Sequence, residues 1–298
     1  MLDYAALAAL AAVIREGSFE RAAQSLHVTP SAVSQRIRSL EERVGCALVV
    51  RGQPCRATDT GRRLCQHVDR VRLMEQELQG ALPALAPEGP RRVALPITVN
   101  ADSLATWFAP AVAAFAARAP VLVDLSVDDQ DHTADWLRSG AVLAAVTGTA
   151  RPPAGFNSRP LGAMRYIAAA SPDFVARHFG RGVGVAALAQ APSLVFNTKD
   201  ELQARWVRRL RHRDVELPRH TLPSSQAFVT AALDGMGWGL HPLALIAQHL
   251  QDGSLVELVP GTPMDVPLFW QHARAAASLI EQLSDEVVAA AARALRAP

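Results

Sequence analysis

Between Ser18 and Gly45 two helical patterns follow one another across a two-residue turn, and few folds accept that spacing. Residues 19–26 place Phe19, Ala22, Ala23 and Leu26 on one side, at helical intervals, with Ser18 as cap. His27-Val28 makes the turn. Thr29 caps the next helix, and Pro30 stands at its first position, where a missing N–H is harmless. Val33, Ile37, Leu40 and Val44 form the inward stripe, and Gly45 supplies the left-handed stop. An earlier helix, 3–16, turns Tyr4, Leu7, Leu10, Ala11 and Ile14 to a single face and ends at Gly17. Leu48 to Val50 reads as a strand, Gly52 and Pro54 as a turn, and a short return strand follows. Two helices about a tight turn and then a hairpin predict a winged helix-turn-helix over residues 1–60.

The solvent face of the capped helix carries Ser31, Ser34, Gln35, Arg36 and Arg38, and the hairpin adds Arg51 and Arg56. Glutamine suits adenine, arginine suits guanine, and serine suits base or phosphate. Any one of these is equally at home on a plain solvated helix; the combination is what points to double-stranded DNA. Net charge over the chain is only +2, but residues 14–63 hold nine arginines against five acidic residues. That is a modest basic patch, suited to phosphates.

Thr58 caps a longer helix to about Leu82, on which Leu64, Val68, Val71, Glu75, Leu78 and Leu82 recur at alternating four- and three-residue intervals. That is a heptad seam, and a second copy of the same helix is its expected partner; packing against the chain's own domain is the alternative. Residues 58–89 thus read as a dimerisation helix and hinge, ending in the prolines from Pro83 to Pro90.

From 90 to 298 strand and helix patterns alternate, which predicts a largely parallel sheet covered by helices. Two such runs imply two lobes with a cleft between them, one of about 91–162 plus 267–298 and the other of about 163–266. The expected class is α+β multidomain, the sensor part being two-lobed and like a periplasmic binding protein. Ligands on such sheets sit at the carboxyl ends of strands, often on helix N-termini. Asn100, Asp102 and Ser103 stand at one such end, with free N–H groups expected at Ser103 and Leu104 for a ligand carboxylate. Ser224 and Ser225 stand before a helix in the second lobe, and Thr147 and Asn197 close strands facing the cleft. Simple helix capping is the competing reading for Asp102 and the serines. Trp107, Phe108, Phe228 and Trp238 are expected in the core.

The sequence holds none of the usual signatures of hydrolases, zinc proteases, phosphate loops or dinucleotide folds, and its histidines show no metal-ligand spacing. No enzyme activity, cofactor or metal is expected. Cys46, Cys55 and Cys65 are odd in number and without a C-x-x-C pair, which fits a reducing cytosol. The apolar run from Ala5 to Val13 is short and ends at Arg15 and Glu16, so it reads as a globular helix rather than a signal peptide, and no membrane span is expected.

The segments Phe19 to Leu26, Thr29 to Ile37 and Leu40-Glu41 resemble the LysR-type regulator family. Within it, Ala22 to Ile37, Val99 to Trp107 and Ser225 to Phe228 are most similar to the ArgP/LysG branch, some members of which carry the label chromosome initiation inhibitor. The resemblance implies a cytoplasmic, DNA-binding transcription regulator, usually an activator. It implies a dimer of dimers joined through linker helices, recognition helices in successive major grooves about 34–36 Å apart, and RNA polymerase as a further contact. It implies lysine or arginine as effector and control of a basic amino acid exporter. The ligand's side chain then needs an anion; Asp128, Asp129 and Asp131, after the second strand of this domain, and Asp102 are the candidates, a polar loop capping the next helix being the competing reading for each aspartate of that loop. Many relatives carry Gln where this chain has Pro30, which throws more of the base readout onto Ser31, Ser34 and Gln35. A regulator of this type with another effector, an effector-independent nucleoid or replication-origin binder, and a periplasmic solute receptor are the competing readings. An oxidant sensor is disfavoured, because no cysteine follows Cys65.

Overall fold

A computed structural model describes residues 2–82, 93–119, 121–127, 136–138, 141–274 and 277–297. Its N-terminal part contains α1 (Tyr4–Glu16), α2 (Phe19–Ser25), α3 (Pro30–Val44), β1 (Val49–Val50), β2 (Arg56–Ala57) and α4 (Asp59–Ala81). Local chemistry sets each boundary. The Asp3 carboxylate accepts from Ala5 N and Ala6 N, Ser18 accepts from Arg21 N, and Thr29 accepts from Ala32 N with Pro30 next to it. Gly17 and Gly45 end α1 and α3 at φ 67° and 80°. The helices converge on a shared core of Leu7, Leu10, Ala22, Val33, Ile37 and Leu48, all 2% exposed or less. Burial of one such large aliphatic side chain stabilises the domain by about 1.5–3 kcal/mol.

The hairpin is fastened to the helices rather than free. Val49 pairs with Ala57 and Val50 with Arg56. Cys55 N donates to Gly17 O, and a Cβ on Gly17 would lie 2.7 Å from the Pro54 Cβ. Glycine is therefore required at 17 twice over, for its positive φ and for the approach of Pro54. Glu41 of α3 accepts from Leu48 N and Val49 N at 2.8 and 3.4 Å. Two details differ from the sequence reading. Tyr4 is 49% exposed and packs by its ring against His67 of α4, and Val44 is 38% exposed, outside the stripe it was expected to extend.

Along α4 the expected seam divides. Val68 is 5% exposed and Leu64 packs on the helix-turn-helix core, so the first half is satisfied within the chain. Met74, Leu78 and Leu82 are each about half exposed.

The C-terminal part is built on one seven-stranded sheet: β3 (Val93–Val99), β4 (Val121–Val127), β5 (Ala144–Thr147), β6 (Phe156–Ala170), β9 (Gly239–Pro242), β10 (Val256–Glu257) and β11 (Met264–Ala273). A separate parallel pair joins β7 (Ser193–Val195) and β8 (Arg219–Thr221). Between the strands run α5 (Ala101–Ser103), a π-helical turn over Leu104–Phe108, α6 (Ala109–Ala116), α7 (Pro172–Phe179), α8 (Val185–Leu188), α9 (Leu202–Arg211), α10 (Ser225–Leu233), α11 (Leu243–Gln251) and α12 (Ala277–Ala294).

The sheet is mixed, not largely parallel as the alternation suggested. Only β3 with β4 and β3 with β5 run parallel within it; β5, β6, β9, β10 and β11 pair antiparallel. The short apolar runs at Tyr166–Ala170 and Pro267–Trp270 mark only parts of β6 and β11, which pair antiparallel with each other along most of their length. Pro160, Gly162 and Pro267 break the apolar pattern without breaking the strands. They are tolerated where the register shifts, between Leu268 and Phe269 opposite Gly162. Gly162 has φ 116°, and a Cβ there would lie 2.4 Å from Arg296 O. α12 packs on α6, the π-helical turn and β11. It is pinned by Trp270 Nε1 donating to Ser284 Oγ at 2.8 Å. Trp107, Phe108, Phe228 and Trp238 are buried in the core, Phe228 at its edge.

Candidate functional site

On α3 the polar side chains named from the sequence share the outward face. Ser31, Gln35 and Arg38 are exposed, and Ser34 and Arg36 are half-buried. The Ser31 hydroxyl lies 3.0 Å from Thr29 Oγ1, while Gln35, Arg36 and Arg38 make no hydrogen bond among the described residues. Their donors are thus available to another molecule, at the start of a helix whose other side is rigidly buried. Arg51 and Arg56 are exposed on the hairpin, and the Arg51 guanidinium lies 5.5 Å from the Phe19 ring centroid. That stacking holds a cation of the hairpin beside α2. His27, in the turn before α3, takes φ 54° and is exposed.

The second site begins where β3 ends. Asn100 takes the N-cap position of α5 without a capping bond from its side chain. Its Oδ1 and the Ser103 hydroxyl are buried without a hydrogen-bond partner among the described residues. Leu104 N donates to Asn100 O at 3.1 Å, so the N–H expected to be free there is spent inside the first turn. Asp102 between them turns outward, toward the second half of the molecule. Its Oδ1 accepts from the Ser225 hydroxyl at 2.6 Å and its Oδ2 from the Tyr166 hydroxyl at 2.8 Å. Residues from β6 and the start of α10 therefore meet on a single carboxylate.

Beside this junction lies a small crevice, with a cavity volume of about 30 Å³. Its polar walls are Asp102, Asp200 and Ser225; its apolar walls are Phe196, Leu202, Phe228, Leu240 and Pro242. No Lys, Arg or His lines it among the described residues. Asp200 is held by the loop it belongs to: Oδ2 accepts from Phe196 N at 2.9 Å and Oδ1 from Leu202 N at 3.0 Å. Both oxygens retain acceptor capacity, since a carboxylate offers about four lone-pair sites.

Of the residues named in advance, Asp102 and Ser225 line the crevice. Ser224 is exposed and caps α10 by accepting from Ala227 N at 3.3 Å. Thr147 is buried, its hydroxyl accepting from Thr149 N, and Asn197 Oδ1 accepts from Lys199 N. Asp129, with Asp128 and Asp131, lies outside the described residues. Tyr166 and Asp200 were not named from the sequence. Asp200 carries a readable signal, an Asn-x-x-Asp loop before a helical pattern; Tyr166 reads only as a core strand residue.

Residues 4–62 match the family described as bacterial regulatory helix-turn-helix protein, lysR family, and residues 87–292 match the LysR substrate binding domain. The HTH-type transcriptional regulator ArgP of Pseudomonas aeruginosa is 50% identical over 293 residues, 98% of this chain and 96% of that protein. The crystal structure of ArgP from Mycobacterium tuberculosis superposes with a TM-score of 0.84 at 44% identity, covering 100% of both chains. Full-length LysG from Corynebacterium glutamicum with bound effector Arg superposes at 0.73 with 35% identity, over 99% of this chain and 100% of that one.

Proposed function

This chain belongs to the LysR family of helix-turn-helix transcription regulators, and from that premise we propose that its crevice at Asp102 senses an amino acid with a cationic side chain, lysine or arginine. The observation that carries the reading is the charge of the walls: two carboxylates and, among the described residues, no basic group. An organic acid would meet like charge there, whereas a cationic ligand meets opposite charge. The LysG structure with bound Arg supports the same ligand class.

Asp102 gives the binding event a mechanical consequence. A ligand group that engages this carboxylate competes with or reinforces its bonds to Ser225 and Tyr166, which belong to other elements. Ligand binding therefore favours one arrangement of those elements over another, and only such differential affinity shifts a conformational equilibrium. Asn100 and Ser103, whose buried oxygens have no partner among the described residues, complete the proposed effector region with Thr147, Asn197 and Ser224, and with Asp129 as read from the sequence.

On the DNA side, Ser31, Ser34, Gln35, Arg36 and Arg38 enter the major groove, and Arg51 and Arg56 contact phosphates. The half-exposed Met74, Leu78 and Leu82 of α4 pair with a second copy, which places two reading heads on one duplex. The reading locates the protein in the cytoplasm and makes RNA polymerase its further partner; no helix among the described residues is long and apolar enough to cross a membrane.

A thermal-shift screen of the proteinogenic amino acids tests the effector class, because a ligand that binds only the folded state raises Tm. Lysine or arginine should raise it. A rise with glutamate or an aromatic acid, and none with lysine, arginine or histidine, overturns the proposal.

A further inference from the structure

Resting on the effector reading above, we infer that Asp200 is the residue that determines specificity for the ligand's side-chain charge, while Asp102 serves the end of the ligand next to the junction of Ser225 and Tyr166. The two carboxylates are held in different ways. Asp102 accepts hydroxyl groups from Ser225 and Tyr166, donors that rotate and exchange partners. Asp200 accepts two backbone N–H groups of its own loop, from Phe196 and Leu202. A carboxylate clamped by main-chain donors does not turn to follow a ligand; it presents a fixed acceptor geometry. No cation of the described chain lies within salt-bridge distance of Asp200.

The apolar walls complete the argument. Phe196 and Leu202, whose N–H groups clamp Asp200, also line the crevice, and Phe228 and Leu240 add to the apolar surface. Such walls suit the methylene stem of a long side chain, with its charged tip against a fixed anion. A ligand of the same length without the terminal cation leaves the Asp200 charge unanswered in a half-enclosed site. Discrimination then follows from an unpaired group rather than from a lost contact alone.

The experiment is isothermal titration of the full-length protein with L-lysine, L-arginine and L-norleucine, the last being lysine without its terminal ammonium in shape and length. The parent should bind lysine or arginine at least about tenfold more tightly than norleucine, the smaller end of what a charge-assisted hydrogen bond contributes. Asp200→Asn and Asp200→Ser should bring that ratio to within about threefold, with norleucine affinity little changed. Asp102→Asn should instead weaken all three ligands together and leave the ratio standing. Parent protein that binds norleucine as well as lysine overturns the inference without any variant. So does an Asp200 variant, folded by circular dichroism, that keeps the parent's ratio; in that case the effector reading survives. Parent protein that binds none of the three overturns both.

Discussion

The Ser225 hydroxyl donates to the Asp102 carboxylate at 2.6 Å across 123 positions of sequence, and Tyr166 donates to the other oxygen at 2.8 Å. The junction is thus made of three side chains from three elements, and each hydroxyl can be deleted alone. Tyr166→Phe and Ser225→Ala should each lower stability by about 1–2 kcal/mol, the usual worth of a hydrogen bond to a charged acceptor. They should also change effector affinity severalfold. Urea denaturation read beside calorimetric titration separates the two effects; variants indistinguishable from parent in both would show that the junction is ornamental.

On α3, Gln35→Ala and Arg38→Ala remove exposed side chains that make no bond within the described chain, so the fold should be untouched. Each should weaken binding to a cognate duplex by about 1–3 kcal/mol, with little loss on random-sequence DNA. Fluorescence anisotropy at fixed salt measures both. Equal loss on cognate and random duplexes would reassign these residues to the phosphates.

Gly162→Ala places a Cβ 2.4 Å from Arg296 O at a φ of 116°. Neither the backbone conformation nor the approach of the C-terminal segment survives a side chain there. The expected loss is about 2–4 kcal/mol, with a drop of several degrees in Tm. Gly155→Ala is the control: it shares a positive φ but has nothing within 4 Å of the new Cβ, so it should lose less.

His241 is fully buried on β9, its ring 5.1 Å from that of Phe228, and burial pushes its pKa down to about 4. The unfolded chain takes up a proton near pH 6.5, while the folded one resists until about pH 4. Its share of stability is therefore complete above pH 6.5 and is lost as pH falls from 6.5 toward 4, roughly 3 kcal/mol in all. His241→Leu should flatten the denaturation midpoint across that window. A variant with the parent's pH dependence would place the titrating group elsewhere.

The helix-turn-helix was legible almost residue by residue, because caps at Ser18 and Thr29 and stops at Gly17 and Gly45 act locally. The sensor was legible in outline only. Its long strands are stabilised by partners a hundred residues away, and Pro160, Gly162 and Pro267 hide them from any reading of local pattern. Asp102 and Ser225, singled out from strand ends and helix caps, do line the crevice, since those features are local. Tyr166 and Asp200 were missed for opposite reasons. Tyr166 belongs to the site only through the tertiary position of β6, while Asp200 looks from sequence like a loop residue serving its own backbone, which it also is. Likewise, nothing local reveals that Leu64 and Val68 would be claimed by the chain's own core while Leu78 and Leu82 would not.

The polypeptide leaves the β5 end of the large sheet on β6 and comes back on β11, the two bonded to each other from Phe156 to Tyr166. A passage made of paired strands behaves as a torsion bar: stiff in the plane of its ladder and compliant to twist where the register slips beside Phe269.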